Sequence, residues 1–508
     1  MIIIHPPLTK PCEPPAALAY LASALQSHGV VATVCDMNIE ALHHLLENTT
    51  GADDTWSKRA IKNLSRNIEA LQNSTTYQNR DKYHRAVSDI NRVLDIAGKD
   101  AGIQLSLSNY IDDNYSPLKS EDLKRVARNY SENIFFSYFA PRLDQLLETT
   151  GAKHIGISIN YLSQAICSFA MIGYLRARHP DIKIIAGGGL VTTWLSHPGW
   201  KQPFEKLIDT FIGGKGESQL LSLLGKETIT DNNIPTYQEL QNNYLSPGFV
   251  LPYTTSRGCF WKKCSFCPET SEDNPYEHIA PGQTISELAT LSGQTRPALI
   301  HLLDNAISAS TLIALQHSGI STPWYGFARF SKELANKEFC YLLKKSGCIM
   351  LKLGLESGDQ NVLEQMNKGI DLQLASTVLR NLQEAGIATY IYLLFGTPEE
   401  DLESARKTQT FVEEHHQAIS YLNLAIFNLP ICSQETSHLN VSNFYDGDLS
   451  IYCNFEHPKG WNRGVIRRFL DTSFKRSPEI APILQNDPPF FTSNHAPFIS
   501  LQAKLKKR

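Results

Sequence analysis

The sequence predicts an α/β protein with two parallel sheets in succession. Three observations carry this. Short apolar runs alternate with amphipathic segments over residues 2–36 and 154–224, a second regular alternation fills residues 249–429, and glycine- or cysteine-rich motifs stand where strand-like runs end. At 508 residues the chain is long enough for two or three domains, each burying its own core.

The first sheet opens on residues 2–5 (IIIH), closed by Pro6-Pro7. Residues 16–26 (AALAYLASALQ) recur at helical spacing and end near Gly29, after which residues 30–35 are strand-like and end at Asp36. Such a βαβ opening implies a parallel sheet with its ligand crevice beyond the carboxyl ends of the strands. Residues 40–150 interrupt the alternation. They are polar, with helical patterns at 60–71, 82–97 and 139–148, and because apolar residues recur through them they read as a helical insertion packed on or near the sheet. Tyr83, His84, Tyr110 and Tyr115 are candidates to face a substrate, with packing as the plainer role. The alternation resumes with a strand at 154–158, a helix at 164–176 and a strand at 183–186 that runs into Gly187, Gly188 and Gly189. A further strand at 209–212 leads into Gly213-Gly214-Lys215-Gly216-Glu217 and a helix at 218–224. Glycines at strand ends let a large planar or phosphate-bearing cofactor lie close to the backbone. Residues 226–250, with Pro235, Asn242-Asn243 and Pro247-Gly248, read as a linker.

The second sheet begins at residues 249–255 (FVLPYTT), which lead into Arg257-Gly258 and a C-x4-C-x2-C array, Cys259, Cys264 and Cys267. Two metal readings compete. A structural zinc site wants four protein ligands, usually in two pairs, and no second C-x-x-C or H-x3-H follows in range. An iron–sulfur cluster is held by cysteine thiolates, and three of them leave one iron open to a substrate. Strand candidates follow at 298–303, 323–328, 349–354, 388–395 and 422–429, separated by amphipathic segments at 285–291, 308–317, 332–345, 372–385 and 401–414. Their ends carry polar residues: Asp304-Asn305, Arg329, the run Gly354, Glu356, Ser357 and Gly358, and the run Gly396, Thr397, Pro398 and Glu399. Met366 to Gly369 (MNKG) reads as a helix cap and turn, and Tyr390 and Tyr392 alternate into one face of their strand. Residues 431–508 show no cofactor pattern. Trp461, Arg463 and Arg467-Arg468 fall in an expected helix, and the basic end, Lys504 to Arg508, reads as a solvated tail.

A net charge of −4 gives no basic excess for a nucleic-acid partner, no run reaches the roughly 18 apolar residues of a membrane span, and the start has no basic leader. The expectation is a cytoplasmic protein. Ten cysteines in so long a chain do not form a dense disulfide framework.

The cysteine array resembles that of the radical S-adenosylmethionine (SAM) enzymes, whose usual spacing is C-x3-C-x2-C; here Phe260, Trp261, Lys262 and Lys263 make the first gap one residue longer. The resemblance implies a [4Fe-4S] cluster on Cys259, Cys264 and Cys267, SAM chelating the open iron, reductive formation of a 5′-deoxyadenosyl radical, and a partial (β/α)6 barrel over residues 251–430. It implies further that Phe266 lies against the adenine, that Asp304, Arg329, Gly354, Glu356 and Ser357 line the SAM site with Glu356 on the ribose or amino group, and that Gly396, Thr397 and Pro398 lie against the methionine or adenine part. A low-potential electron donor of flavodoxin or ferredoxin type is implied as partner.

The first unit, residues 1–225, is similar to the Rossmann-like cobalamin-binding domain that precedes many such barrels. The residues carrying this are Pro6, Pro7 and Pro11, Asp36, Ser158, Asn160, Tyr161, Ser163, Gln164, the Gly187–Gly189 triple, Gly214, Gly216 and Glu217. The D-x-H-x-x-G motif is absent, so the resemblance implies cobalamin without a histidine below the metal. The chemistry implied is methylation of an unactivated carbon or a phosphinate phosphorus. The alternatives are another radical transformation or a cofactor-binding sensor without turnover.

Overall fold

A computed structural model describes residues 1–227, 233–241, 243–488 and 495–499. Asn242 and the basic end at 504–508 lie outside the described residues. The chain forms two compact units, 1–250 together with 445–451, and 251–444 together with 452–488 and 495–499.

The first unit is built on five strands: β1 (Ile2–His5), β2 (Thr33–Asp36), β3 (His154–Ser158), β4 (Lys183–Gly187) and β5 (Thr210–Phe211). They lie in the order β2-β1-β3-β4-β5 with parallel registers. Ile2, Ile4, Ile155, Ile157, Ile184 and Ala186 are all buried, as expected of a sheet covered on both faces. The order reverses between β1 and β3, so the crevice at the carboxyl ends of these two strands is the topological switch point.

The 40–150 segment is mainly helical: Met37–Asn48, Thr55–Lys62, Leu64–Gln72, Arg80–Lys99, Ser120–Arg128 and Phe136–Thr150. Asp54 and Asn79 cap two of these helices by accepting from Ser57 N and Lys82 N, and Gly151 in the left-handed region ends the last. An antiparallel hairpin, Ile103–Leu105 with Tyr110–Asp112, was not expected; each strand has only three residues, too few for a period of two to show. Tyr83 and Tyr110 are interior residues, which removes them as substrate contacts; Tyr115 lies under Arg125 and only His84 is exposed.

Residues 233–241 and 243–250 are not a free linker. Tyr237, Leu240, Tyr244 and Leu245 are buried in the first unit, Thr236 N donates to Ala19 O (3.1 Å), Leu245 N to Pro11 O (2.7 Å) and Tyr244 Oη to Asp36 (2.8 Å). Polarity suggested a linker, whereas a few spaced apolar anchors decide the packing. The C-terminal region likewise returns to this unit at 445–451, where Leu449 N donates to Leu118 O (2.9 Å), Asp448 accepts from Ser120 N (2.8 Å) and Asp446 pairs with Lys119 (2.6 Å).

The helices Leu162–Arg178 and Ser120–Arg128 pack closely, so that a Cβ on Gly173 would come 1.9 Å from Ala127 O. Gly173→Ala is expected to destabilise the unit by about 1–3 kcal/mol at least, because backbone must separate. A thermal melt unchanged by the substitution would contradict this packing.

The second unit is a six-stranded sheet: β6 (Val250–Tyr253), β7 (Leu299–Leu302), β8 (Trp324–Ala328), β9 (Cys348–Glu356), β10 (Ala388–Phe395) and β11 (Tyr421–Ile426). The order is sequential, β11-β10-β9-β8-β7-β6, and the strands are parallel, the succession of an open (β/α)6 barrel. Helices Pro281–Thr295, Ala309–Gln316, Lys337–Lys345, Leu372–Ala385 and Leu402–Glu414 alternate with them. The short helix Gln360–Gln365 was not anticipated, and Trp461 precedes the helix Arg463–Thr472 instead of lying in it. One face of β9 and β10 buries Leu351, Leu353, Leu355, Ile391, Leu393 and Phe395. On the other face Lys352 sits between the rings of Tyr325 (5.1 Å) and Phe327 (5.0 Å), and Tyr392 lies against Phe327 (4.9 Å) and Tyr390 (4.8 Å). Among the described residues no helix is long and apolar enough to cross a membrane.

Candidate active site

In the second unit the carboxyl ends of the strands gather the polar residues. After β6 the chain is pinned by Asp304, which follows β7: its carboxylate accepts from Thr255 N (3.1 Å), Thr255 Oγ1 (2.6 Å) and Ser256 Oγ (2.6 Å). Burial raises this carboxyl and the three hydrogen bonds oppose the rise. Asp304 therefore anchors the start of the cysteine loop, and it does not pair with Arg329. Gly258 adopts φ 71°, and a Cβ there would lie 2.3 Å from Pro275 O. Its freedom serves a close approach of the chain to itself.

Cys259, Cys264 and Cys267 follow, all free thiols, with Cys264 buried and the other two half-buried. Burial, together with the neighbouring Cys264 and Cys259, pushes Cys267 up to about 11. Among the described residues no three His, Cys, Asp or Glu side chains converge as a single metal ion requires. A cubane cluster makes a different demand, engaging each sulfur through a separate iron.

The turn after Gln360–Gln365 grips this loop. Ser265 N donates to Met366 O (3.1 Å), Trp261 Nε1 to Asn367 O (2.8 Å) and Arg329 Nη2 to Lys368 O. Lys368 pairs with Glu356 at 2.7 Å, the two side chains only 10% and 12% exposed, and its ammonium lies over the Phe266 ring (5.4 Å). Glu356 closes β9 with φ 67°, a left-handed conformation costly for a non-glycine residue and concentrated at functional sites. Gly354 leaves the space for this pair, since a Cβ there would come 2.5 Å from Glu356 Oε1. Ser357 is turned inward to Thr408 and to Asp359 N, a structural position.

The loop after β10 is held from the C-terminal segment. Gly396, at φ 87°, donates to the Glu400 carboxylate, which also accepts from Trp461 Nε1 (2.8 Å). Thr397 O accepts from His457 Nε2 (2.9 Å), and Pro398 is half-buried beside it. A Cβ on Gly396 would meet Ile466 at 2.5 Å. Burial raises Glu400 to about 8. Lys368, Trp261, Glu400, His457 and Trp461 were missed as site residues. Lys368 had a signal, a cation in a turn twelve residues beyond Glu356, and Glu400 stands four residues after Gly396, but His457 and Trp461 lie some sixty positions from the Gly396 loop and the Trp261 partner Asn367 is 106 positions away, too far to be paired by spacing.

In the first unit the candidate residues line the carboxyl edge of the sheet. Across the switch point Gln164 Nε2 donates to Pro6 O (2.7 Å) and Ser163 Oγ to Leu8 O (2.8 Å), tying the loops after β1 and β3. Gln164 Oε1 accepts from Asn160 N (2.8 Å) and Tyr161 N (3.2 Å), and Asn160 Oδ1 accepts from Gly189 N (3.1 Å). Gly188, at φ 106°, lets the loop after β4 approach, a Cβ there coming 2.5 Å from Ile159 O. Gly187 ends β4, while Gly214, Gly216 and Glu217 stand where the helix Gly216–Leu223 begins, with nothing within 4 Å of a Cβ on Gly214. The Asn160, Ser163 and Gln164 side chains thus brace the rim, and Tyr161 is 60% exposed at it. His5, at the end of β1, is a further rim residue; burial pushes it down to about 4, so its imidazole is neutral.

Asp36 caps the helix Met37–Asn48 by accepting from Asn38 N and accepts from Tyr244 Oη, yet burial still pushes it up to about 7. An acid whose folded pKa exceeds its unfolded value of about 3.9 is costly to ionise within the fold. Its contribution is fully present below about pH 4 and is lost as pH rises to about 7, on the order of 4 kcal/mol. Asp36→Asn should flatten the urea midpoint between pH 4 and 8, and an identical slope in both proteins would disprove the assignment.

Residues 253–411 match the radical SAM superfamily model. An uncharacterized methyltransferase of Pyrococcus horikoshii is 23% identical over 234 residues, 42% of this chain and 50% of its own length. The bacteriochlorophyllide d C-12(1)-methyltransferase of Chlorobaculum tepidum is 32% identical over 83 residues, 16% of this chain and 18% of its own. The chain thus spans half or less of these relatives. Among solved structures, the radical SAM methyltransferase TsrM of Kitasatospora setae, with tryptophan substrate and a SAM analogue bound, superposes with a TM-score of 0.58 at 14% identity over 99% of this chain and 95% of its own. The cobalamin-dependent radical SAM enzyme OxsB, with aqua-cobalamin bound, gives 0.53 at 14% identity over 69% and 64%. At such identity the likeness is one of fold. The chain carries a radical SAM domain at residues 253–411 and is built on the fold of the cobalamin-dependent radical SAM enzymes.

Proposed function

We propose that this protein is a cobalamin-dependent radical SAM methyltransferase, acting on an unactivated carbon or on phosphorus. The observation that carries the reading is the placement of three free cysteines on one loop at the carboxyl edge of the six-stranded sheet, with the Glu356–Lys368 pair and the Gly396–Pro398 turn at the ends of neighbouring strands. When bound, the [4Fe-4S] cluster and SAM supply reductive cleavage of the sulfonium, and cobalamin supplies a methyl carrier.

The residues present fit these groups. Cys259, Cys264 and Cys267 offer three thiolates to the cluster and no fourth. Phe266 presents a ring for the adenine. Glu356 is the carboxylate for the ammonium or ribose hydroxyls of SAM, and Lys368 holds its position. The Gly396–Thr397–Pro398 turn offers backbone donors and acceptors beside it. Asp304 and Arg329 act on the loop and not directly on SAM. In the first unit the rim at Asn160–Gln164, Gly187–Gly189, Gly214 and Gly216 is the surface for a corrin, with no motif histidine beneath the metal. Asp36 supports that rim from the β2 end. A low-potential flavodoxin or ferredoxin is the electron donor in this reading, and the setting is cytoplasmic.

The test is to purify the protein without oxygen from cells supplied with the vitamin and then add reductant and methyl-labelled SAM. About one bound cobalamin, together with 5′-deoxyadenosine formation, supports the assignment. Label transferred to an acceptor identifies methylation. Deoxyadenosine without label transfer points to another radical reaction, and the absence of both products would overturn the proposal.

A further inference from the structure

The long first gap of the cysteine loop has a structural use. Trp261, inside it, is docked edge-on against the Met366–Gly369 turn: its Nε1 donates to Asn367 O (2.8 Å), and a Cβ on Gly369 would lie 2.0 Å from the indole. Glycine at 369, with φ 65°, is therefore what lets the ring seat. Over the indole, 4.5 Å from its centroid, lies the Arg329 guanidinium, whose Nη2 also donates to Lys368 O. Arg329 also lies near Cys264, where its charge favours the thiolate. Lys368 lies near the same sulfur but is neutralised by Glu356. Among the described residues Arg329 is the cation near Cys264 with no carboxylate partner, and its guanidinium shares the Trp261 indole with the Lys263 ammonium (5.0 Å). An aromatic face attracts a guanidinium and limits its rotamers, most strongly for tryptophan.

We propose that Trp261 is a positioning residue which fixes Arg329 against the Cys264 sulfur and thereby raises the reduction potential of the cluster. The inference rests on the reading of Cys264 as a cluster ligand. A fixed positive charge stabilises the form of the cluster that carries one more electron, and the effect is large where water is excluded. Without the indole the guanidinium is free to turn to solvent, and reduction becomes harder. The extra residue of the C-x4-C gap supplies the slack that lets Trp261 reach the turn.

The experiment is an EPR-monitored redox titration of the reconstituted full-length protein and of Trp261→Leu, Trp261→Phe, Arg329→Gln and the Trp261→Leu/Arg329→Gln double variant, each with its iron content measured. The expected result is a more negative midpoint in Trp261→Leu and in Arg329→Gln, a smaller shift in Trp261→Phe, and no further shift in the double variant, because both single changes remove one interaction. Wild-type midpoints in Trp261→Leu or Arg329→Gln, or additive shifts, would overturn the proposal. If Trp261→Leu fails to hold iron, the other two single variants decide: a shift in Arg329→Gln with a smaller one of the same sign in Trp261→Phe sustains it, and any other pattern overturns it. A wild-type protein that binds no cluster overturns the functional reading as well, an outcome separable from a normal cluster indifferent to residue 261.

Discussion

Replacing Cys264 by alanine is expected to abolish the brown iron–sulfur absorption and to reduce 5′-deoxyadenosine formation to background. Three thiolates hold three irons, and with two the cluster has no stable seat, so the loss is of the whole cofactor and not of a fraction of rate. The fold should survive. Cys264 is a small buried side chain on a loop fixed independently by Asp304, by Asn305 Nδ2 on Gly258 O (3.3 Å) and by the Met366–Gly369 turn. Its alanine variant should therefore melt within about 1 kcal/mol of the parent freed of its cluster. Cys340→Ala is the control: that thiol is equally buried but donates to Leu334 O (3.2 Å) in a helical layer, and its loss should leave iron content unchanged. Iron retained in the Cys264 variant would refute the ligand assignment.

The second large effect is expected at Lys368. Lys368→Met leaves the Glu356 carboxylate buried without its partner, and breaking a buried pair from one side costs about 3–5 kcal/mol. The second unit should melt earlier by that amount, and the KM for SAM should rise as Glu356 loses its orientation. Adding Glu356→Leu should restore most of the stability, since a well-packed apolar pair can replace a buried ionic one at little net cost, while SAM cleavage stays lost. Recovery of cleavage in the double variant would exclude Glu356 from SAM binding. No loss of stability in Lys368→Met would show that solvent reaches the pair.

How much of this was legible depends on the distance over which each feature is specified. The strands of both sheets were readable because their apolar runs are local, and β8 and β10 coincide with their expected spans to within a residue. The cysteine triple was readable for the same reason. Not readable were interactions joining remote residues. Glu400 to Trp461 and Trp461 to the Gly396 loop involve separations of some sixty positions, and no spacing rule reaches so far. The glycines were seen, but their reasons were not. Gly258 and Gly354 both make room for this chain's own atoms, a reason that shows only once those atoms are placed. The stretch before β6 was read from its polarity, although Tyr237 and Tyr244 hold it against the first sheet.

Residues 445–451 complete the first unit from the far end of the chain. Leu118 O, Ser120 N and the Lys119 ammonium receive their partners only after residues 251–444 of the second unit have been synthesised, and a Cβ on Gly447 would lie 2.1 Å from Leu118 O. The two halves of the molecule are therefore not exchangeable modules. A gene cut at residue 250 yields an N-terminal fragment with an unfinished surface. A chimera that borrows this half for another enzyme must also carry the 445–451 strap, or evolve a substitute for it.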